Sequence, residues 1–378
     1  MRSILLTIPL DGHLTLPGLG KVPVFGFGIL LLAWCLFGAL LAALLYRKEG
    51  LRGLTGMPGI IWVAIAVAIF KAPELPLKNH EIPIYGYGTM LFLGFLASAS
   101  LAAKRLRREG ADGEIAWDVA MWIFFFGLLG ARLFYVVQYA PSFFGPDRET
   151  GLPRSAFQIL RGLINLPDGG LVLYGGLILA PIAYYVFCLR RGISALAFGD
   201  IAVTSVFVGL LFGRLGCFLH GCCYGDLCSL PWGVTFPSGS VPFTEMVHRG
   251  LQSGDALRSI PLHPTQIYDS VSALAIVLMT LAYYPFRRRS GEVLAIGWMA
   301  YPINRFVIEF LRSDESGKFG TTLTISQWVS FALFATGLAY YLWLQTRPLG
   351  RTPLLLKKPE SYSTSPKHPL PTARAVAS

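Results

Sequence analysis

The sequence predicts an all-α polytopic membrane protein with about nine transmembrane helices, and three observations carry that expectation. Of 378 residues, 54% are hydrophobic and only 14% charged, with a mean hydropathy of +0.56; a water-soluble chain of this size needs far more charge to cover its surface. The apolar residues gather into nine runs: 23–46, 57–70, 84–103, 117–139, 171–189, 198–219, 266–286, 292–312 and 322–345. Cationic clusters follow them, at Arg47-Lys48, Lys104-Arg105 with Arg107-Arg108, Arg190-Arg191 and Arg287-Arg288-Arg289. With all nine runs counted as spans, every cluster falls on one side, as cytoplasmic loops require. The N-terminus is then external and the C-terminus cytoplasmic. The net charge of +11 is explained without nucleic acid, because no basic face is interleaved with exposed aromatics.

The first twenty residues read as an external segment, since the apolar stretch 3–10 is too short for a cleavable leader. The run 57–70 is short for a span. Omitting it would put Arg47-Lys48 and Arg105–Arg108 on opposite sides, so it counts. An internal repeat appears at an offset of 60: Val22-Pro-Val-Phe-Gly-Phe-Gly28 matches Ile82-Pro-Ile-Tyr-Gly-Tyr-Gly88, and Tyr46-Arg-Lys-Glu-Gly50 matches Leu106-Arg-Arg-Glu-Gly110. Residues 1–79 therefore read as an N-terminal segment with an extra, duplicated hairpin, and 80–345 as the core. Two external loops interrupt the core. In 141–169, Phe157, Leu160, Arg161 and Ile164 have the spacing of a helix lying in the interface. The loop 221–265, rich in Gly, Pro and Ser, reads as a small external cap. Residues 346–378, with prolines, serines and cations, read as a disordered cytoplasmic tail.

Charges inside the apolar runs are the candidates for function. A charge at bilayer depth costs roughly 2.5–3.5 kcal/mol on insertion scales, so it faces a cavity or a partner. Arg214 closes the run Ile201–Gly213, and Arg305 lies within Ile296–Phe310. Guanidinium is the side chain best shaped to hold a phosphate through paired hydrogen bonds. Tyr301, Arg305, Glu309 and Arg312 line one helix face. Glu309 either glues helices through an ion pair with Arg305 or orients Arg305 toward an anion. Gly213 and Gly216 flank Arg214 and allow close approach of a backbone or a headgroup; a snorkelling structural arginine is the alternative. Arg132, in Gly130-Ala-Arg-Leu-Phe-Tyr135, has a similar setting.

Tyr174 opens a helix among small residues, Gly169–Ile178. It could donate a hydrogen bond, act as a base if neighbouring cations ease its deprotonation, or anchor the interface. His263 precedes Pro264-Thr265, which have helix-start chemistry, and stands at the outer rim. Four of the six cysteines crowd into Cys217–Cys228 with His220 among them. Their spacing lacks the paired pattern of zinc modules. A disulfide from Cys228 to Cys222 or Cys223, packing thiols, a metal site and a redox couple all stay open.

Together and in this order, these motifs resemble the bacterial prolipoprotein diacylglyceryl transferase family. The likeness covers roughly residues 80–345. It rests on Tyr87 in Tyr85-Gly-Tyr-Gly-Thr-Met90, Gly130-Ala-Arg-Leu133, Gly175-Gly-Leu-Ile178, Gly213-Arg-Leu-Gly216 running to Gly221 and Gly225, His263-Pro-Thr-Gln266, and Arg305 with Glu309. The resemblance implies a seven-helix core in the bacterial inner membrane with its active site toward the periplasm. It implies transfer of the diacylglyceryl group of phosphatidylglycerol to the lipobox cysteine of preprolipoproteins, releasing glycerol phosphate. Membrane lipids are the expected surroundings, and no cofactor or metal is assigned. By the same resemblance Arg214 contacts the lipid headgroup, Arg305 is the second essential arginine, and Glu309 and Tyr301 are its neighbours. Arg132, Tyr87, His263, Gly213 and Gly216 complete the substrate-binding set, and Tyr174 stands as acid or base.

The chain departs from the family pattern at three places. Tyr174 replaces a histidine, Cys217 an asparagine and Cys222 a glutamate, so the thiol base is left open. The chemistry itself fits: a thiol with a pKa of about 8.5 is a few per cent thiolate at neutral pH, and arginines in a low-dielectric pocket stabilise the departing phosphate. Two rival readings are a paralogue with another donor or acceptor, and a membrane thiol-redox protein using Cys217, Cys222, Cys223 and Cys228.

Overall fold

A computed structural model describes residues 4–10, 12–16, 20–49, 59–74, 81–145, 155–156, 159, 162–163, 170–312 and 320–356. The expected interfacial helix around Phe157, Leu160, Arg161 and Ile164 lies largely outside the described residues, as does the tail beyond 356. Long helices form at every apolar run: α1 (Ile29–Glu49), α2 (Gly59–Lys71), α3 (Gly86–Arg108), α4 (Glu114–Gln138), α6 (Leu173–Arg191), α7 (Ala195–His220), α9 (Thr265–Tyr283), α10 (Glu292–Glu309) and α11 (Ile325–Gln345), with short α5 (Ala140–Phe144) and α8 (Val241–His248) in the loops. Among the described residues, α3, α4, α6, α7 and Thr265–Phe286 are long and apolar enough to cross a membrane, and Ile29–Ala43 is a shorter apolar stretch. Large apolar side chains such as Phe92, Phe125, Val206 and Leu278 are exposed, as a lipid-facing surface requires.

Four short strands were not expected from the sequence. They are β1 (Ile4–Pro9), β2 (His13–Leu16), β3 (Gly20–Pro23) and β4 (Glu81–Tyr85). β1 pairs antiparallel with β4, and β2 with β3. The two copies of the repeat thus share one design: each ends a strand and leads into a long helix, β3 toward α1 and β4 into α3.

The chain divides into two compact units. The first comprises residues 1–94, 210–271 and 310–315. It contains the strands, the α1–α2 hairpin stapled by the Trp34 indole donating to the Trp62 carbonyl, and the loop 221–265. That loop is ordered around buried Phe236, Met246 and Leu262, against which Tyr224, Val234 and Ile260 pack.

The second comprises 95–209, 272–309 and 316–378. Its core gathers Leu106, Ala116, Phe187, Cys188, Phe198 and Ile201, all buried. α4 and α6 pack through glycines: a Cβ on Gly130 would stand 2.4 Å from the Gly175 carbonyl oxygen, and one on Gly175 2.0 Å from that of Gly130. Only glycine permits this approach. α6 ends at Gly192, whose φ of 64° and N–H bonds to the Cys188 and Leu189 carbonyls close the helix in a left-handed cap. Buried Asp200 of α7 accepts from the backbone N–H groups of Gly291 (2.8 Å) and Leu294 (3.0 Å). It thereby places a carboxylate at the positive end of α10.

Arg105 donates to Thr204 (2.7 Å) and stacks on the Tyr284 ring, with Arg287 on that ring as well. Glu109 accepts from the Tyr284 hydroxyl (2.8 Å) and from Arg287 (3.0 Å). Burial raises the Glu109 pKa, but these two donors outweigh it and hold the carboxyl below its usual range. The segment expected to be disordered from residue 346 is instead docked up to 356. The Ser194 N–H donates to the Leu354 carbonyl, that of Leu356 to Gly192, and that of Thr352 to Ser290 Oγ.

Candidate functional site

In the first unit, a polar group forms where the C-terminal turns of α7 meet the first turns of α3 and α9. Arg214 pairs with Asp269 at 3.2 Å, and their side chains are 16% and 5% exposed. The helices approach here because Gly216 has no side chain: a Cβ would lie 3.1 Å from Tyr87 Cδ2 and 3.3 Å from Met90 Cβ. Gly213 faces Leu91 more loosely, at 3.8 Å. The Tyr87 ring also lies 6.1 Å from that of His220. Tyr87, Gly213, Arg214 and Gly216, four expected site residues, therefore stand together.

Past α7 the chain reverses through Gly221 (φ 84°) and Cys223 (φ 59°), the one non-glycine with positive φ among the described residues. The turn is fastened to α9: Gln266 Nε2 donates to the Cys222 carbonyl at 2.6 Å and Thr265 Oγ1 to the Cys223 carbonyl at 2.7 Å. The sulfurs of Cys217, Cys222 and Cys223 converge within 4.8 Å of one another. All six cysteines are free thiols, so of the readings left open the disulfide from Cys228 to Cys222 or Cys223 is not formed; Cys228 is buried, with its N–H on the Pro261 carbonyl. Hydrogen bonds from the Cys217 and Cys222 thiols, with the fields of Arg214 and Arg312, pull the Cys223 pKa down against its burial. Cys222 is pushed up in exchange, chiefly by its bonds to Cys217 and Cys223.

His263 stands beside this turn. Its carbonyl accepts from Gly225 N–H (2.9 Å) and its own N–H donates to the Asp226 carbonyl (2.8 Å). Its Nδ1 lies 3.3 Å from the Tyr268 hydroxyl, which also accepts from the Trp232 indole at 2.8 Å. The ring thus reaches an aromatic pair at the start of α9.

In the second unit, Arg305 pairs with Glu309 at 2.6 Å and donates to Ser326 Oγ at 3.0 Å. Glu309 is 3% exposed. Its other oxygen accepts from the Thr324 hydroxyl at 2.9 Å, and Thr324 caps α11 in a reciprocal box with Gln327. The pair therefore ties α10 to α11 through Thr324 and Ser326, as the first of the two sequence readings has it. Tyr301 lies on the same helix, its ring 6.5 Å from Phe207.

Arg132 directs its Nε to the Leu163 carbonyl (3.0 Å), Nη1 to that of Gly170 (2.9 Å) and Nη2 to that of Gly162. It fastens the loop between α5 and α6. Tyr174 is 63% exposed at the start of α6, with its ring 6.4 Å from Phe134. No hydrogen bond from its hydroxyl is recorded among the described residues.

Sequence reasoning missed Asp269, Thr324 and Ser326. Asp269 had a signal, since it is the one acidic residue of α9 and a buried arginine elsewhere needs a counter-charge. The two hydroxyl residues had none, because they reach their partners only through packing.

The fold is that of a polytopic helical membrane protein. Residues 76–343 match the sequence profile of the family described as Prolipoprotein diacylglyceryl transferase. The chain belongs to this family. It is 29% identical to the phosphatidylglycerol–prolipoprotein diacylglyceryl transferase of Rhodopirellula baltica, over 84% of this chain and 85% of that protein. It is 33% identical to the enzyme of the same name from Clostridium tetani, over 68% of this chain and 92% of that protein. A Mycobacteroides abscessus enzyme of that name is 27% identical over 69% of this chain and 74% of its own length.

Proposed function

We propose that this chain is a phosphatidylglycerol–prolipoprotein diacylglyceryl transferase of the bacterial inner membrane, acting on the lipobox cysteine of its protein substrate. Family membership supports the reaction class. The observation that carries the site is the Arg214–Asp269 pair, mostly shielded from solvent at the end of an apolar helix. A guanidinium oriented by a carboxylate has the planar, paired-donor shape that suits a phosphodiester. Arg305, held by Glu309 and Ser326, is the second proposed phosphate-holding cation. Tyr301 and Tyr174 are proposed to act on the substrate's protons, and Tyr87, Gly213, Gly216 and His263 to shape the headgroup site. Arg132 enters as the residue that sets the loop before α6.

The substrate thiol attacks the glycerol carbon that bears the phosphate. A carbon–sulfur bond forms, the carbon–oxygen bond breaks, and the electron pair leaves on glycerol phosphate, whose growing charge a held guanidinium stabilises. We place the N-terminus and the site outside, the cationic clusters and C-terminus in the cytoplasm, and membrane lipids around the helices. Residues 80–345 form the proposed catalytic core and 1–79 an added segment.

The test is incubation of the purified full chain with phosphatidylglycerol and a lipobox peptide, followed by mass spectrometry. The expected result is the diacylglyceryl increment on the cysteine, reduced about 10²–10³-fold in Arg214→Ala and Arg305→Ala. Unchanged modification by either variant contradicts its role.

A further inference from the structure

We infer that Cys217, Cys222 and Cys223 form a binding site for a thiophilic divalent cation, zinc above all, with a fourth coordination position open to the acceptor thiol. The role of that fourth position rests on the transferase reading above; the site itself does not.

Three sulfurs lie within 4.8 Å of one another, and a tetrahedral zinc–thiolate site, with zinc–sulfur bonds of about 2.3 Å, sets its sulfurs roughly 3.8 Å apart. Small side-chain rotations close that difference. The backbone already commits to the convergence. Cys222 and Gly221 both return their N–H groups to the Cys217 carbonyl, at 3.1 and 2.9 Å. Cys223 holds a left-handed φ of 59°, a conformation an L-residue keeps only where its surroundings over-determine it. Gln266 and Thr265 supply that constraint through the Cys222 and Cys223 carbonyls. Gly225 adds to it, since a Cβ there would collide with the Leu311 carbonyl oxygen at 2.6 Å and Thr265 at 2.7 Å.

The charge balance also suits a metal. Three thiolates around a divalent cation leave one net negative charge, and Arg214 and Arg312 both act on Cys223. Among the described residues no fourth Cys, His, Asp or Glu joins the group within that distance. Closed structural zinc sites take four protein ligands, whereas sites that act on a substrate supply three and keep one position open. A disulfide would use two of the three sulfurs and leave the third unexplained.

An acceptor thiol entering the open position loses its proton to water, because a coordinated thiol is deprotonated outright. The resulting thiolate forms the carbon–sulfur bond while the phosphate oxygen departs with the electron pair. The metal keeps its oxidation state, and no oxidant or reductant takes part.

The test uses the full chain in detergent under a phosphine reductant, titrated with cobalt(II) as the spectroscopic probe. One cobalt per chain should bind with a sulfur-to-cobalt charge-transfer band and tetrahedral ligand-field bands. Cys217→Ser and Cys223→Ser should lose the charge-transfer band, while Cys35→Ser and Cys188→Ser keep it. A lipobox peptide should shift the ligand-field bands, and its cysteine-to-serine counterpart should not. Absence of the charge-transfer band in folded wild-type protein, its survival in both cluster variants, or a disulfide among the three cysteines overturns the inference. The phosphatidylglycerol assay run in parallel separates the two readings. Thioether formed by metal-free protein overturns the role of the fourth position and leaves the transferase. Metal bound with no thioether overturns the transferase and leaves the site.

Discussion

Two arginines in this protein occupy helices that should exclude them, and each is tolerated because one carboxylate answers it. For Arg214 the answer comes from another helix, through Asp269 at 3.2 Å; for Arg305 it comes one turn along the same helix, from Glu309 at 2.6 Å. That difference decided what the sequence could reveal. A partner four residues away shares a helix face, so the Arg305–Glu309 pair was legible. The pairing of Arg214 with Asp269 depends on two helices meeting, and nothing local in the sequence announces it. If Asp269 orients Arg214, Asp269→Asn should lower transfer and also destabilise the fold, on the order of 3 kcal/mol, because a mostly buried guanidinium loses its carboxylate. The double variant Arg214→Ala/Asp269→Asn should recover stability without recovering transfer. Thermal unfolding and the transfer assay, run on all three variants, read this out. An Asp269→Asn protein of wild-type stability and activity contradicts the pairing.

At the scale of elements, the long helices were legible from their apolar runs, because a hydrocarbon layer leaves the backbone few other options. The first helix begins at Ile29 rather than near residue 23, since β3 takes the chain to Pro23 and Gly26 turns it with φ 70°. The strands escaped notice because β1 and β4 pair across more than seventy positions, and their short segments carry no marked alternation. The glycine motifs carried the family resemblance without a stated packing role, and two of them are packing devices: Gly130 and Gly175 bring α4 and α6 into backbone contact. Gly130→Ala should therefore cost roughly 1–3 kcal/mol as overpacking and lower the unfolding midpoint in detergent. A midpoint equal to wild type would mean that the two helices can part without penalty.

At the scale of the molecule, the cationic residues that follow the apolar runs are built into the packing of the fold. Arg105 and Arg287 enclose Tyr284, Glu109 accepts from Tyr284 and Arg287, and Arg351 of the docked C-terminal segment donates to the Arg287 and Pro285 carbonyls. Composition showed only that positive charge gathers there; the shared ring and carboxylate are products of tertiary packing. Because the folded Glu109 pKa lies below its ordinary 4.5, its contribution to stability is complete above that value and fades as pH falls through the folded pKa. Glu109→Gln should thus unfold earlier than wild type at neutral pH, with the gap closing below 4.5. A gap independent of pH would assign the loss to something other than this charge.

If the Arg214 guanidinium, mostly buried and held by Asp269, grips an anionic lipid head so that sulfur can displace its phosphate, transfer should depend on its paired donors. The most direct measurement is kcat/KM for phosphatidylglycerol with a lipobox peptide, compared between wild type, Arg214→Lys and Arg214→Ala in membranes that contain equal amounts of folded protein. Wild type should yield the thioether, Arg214→Lys should lose part of the rate because lysine keeps the charge but not the paired donors, and Arg214→Ala should lose about 10²–10³-fold. Equal rates in all three would mean that this guanidinium does not hold the lipid.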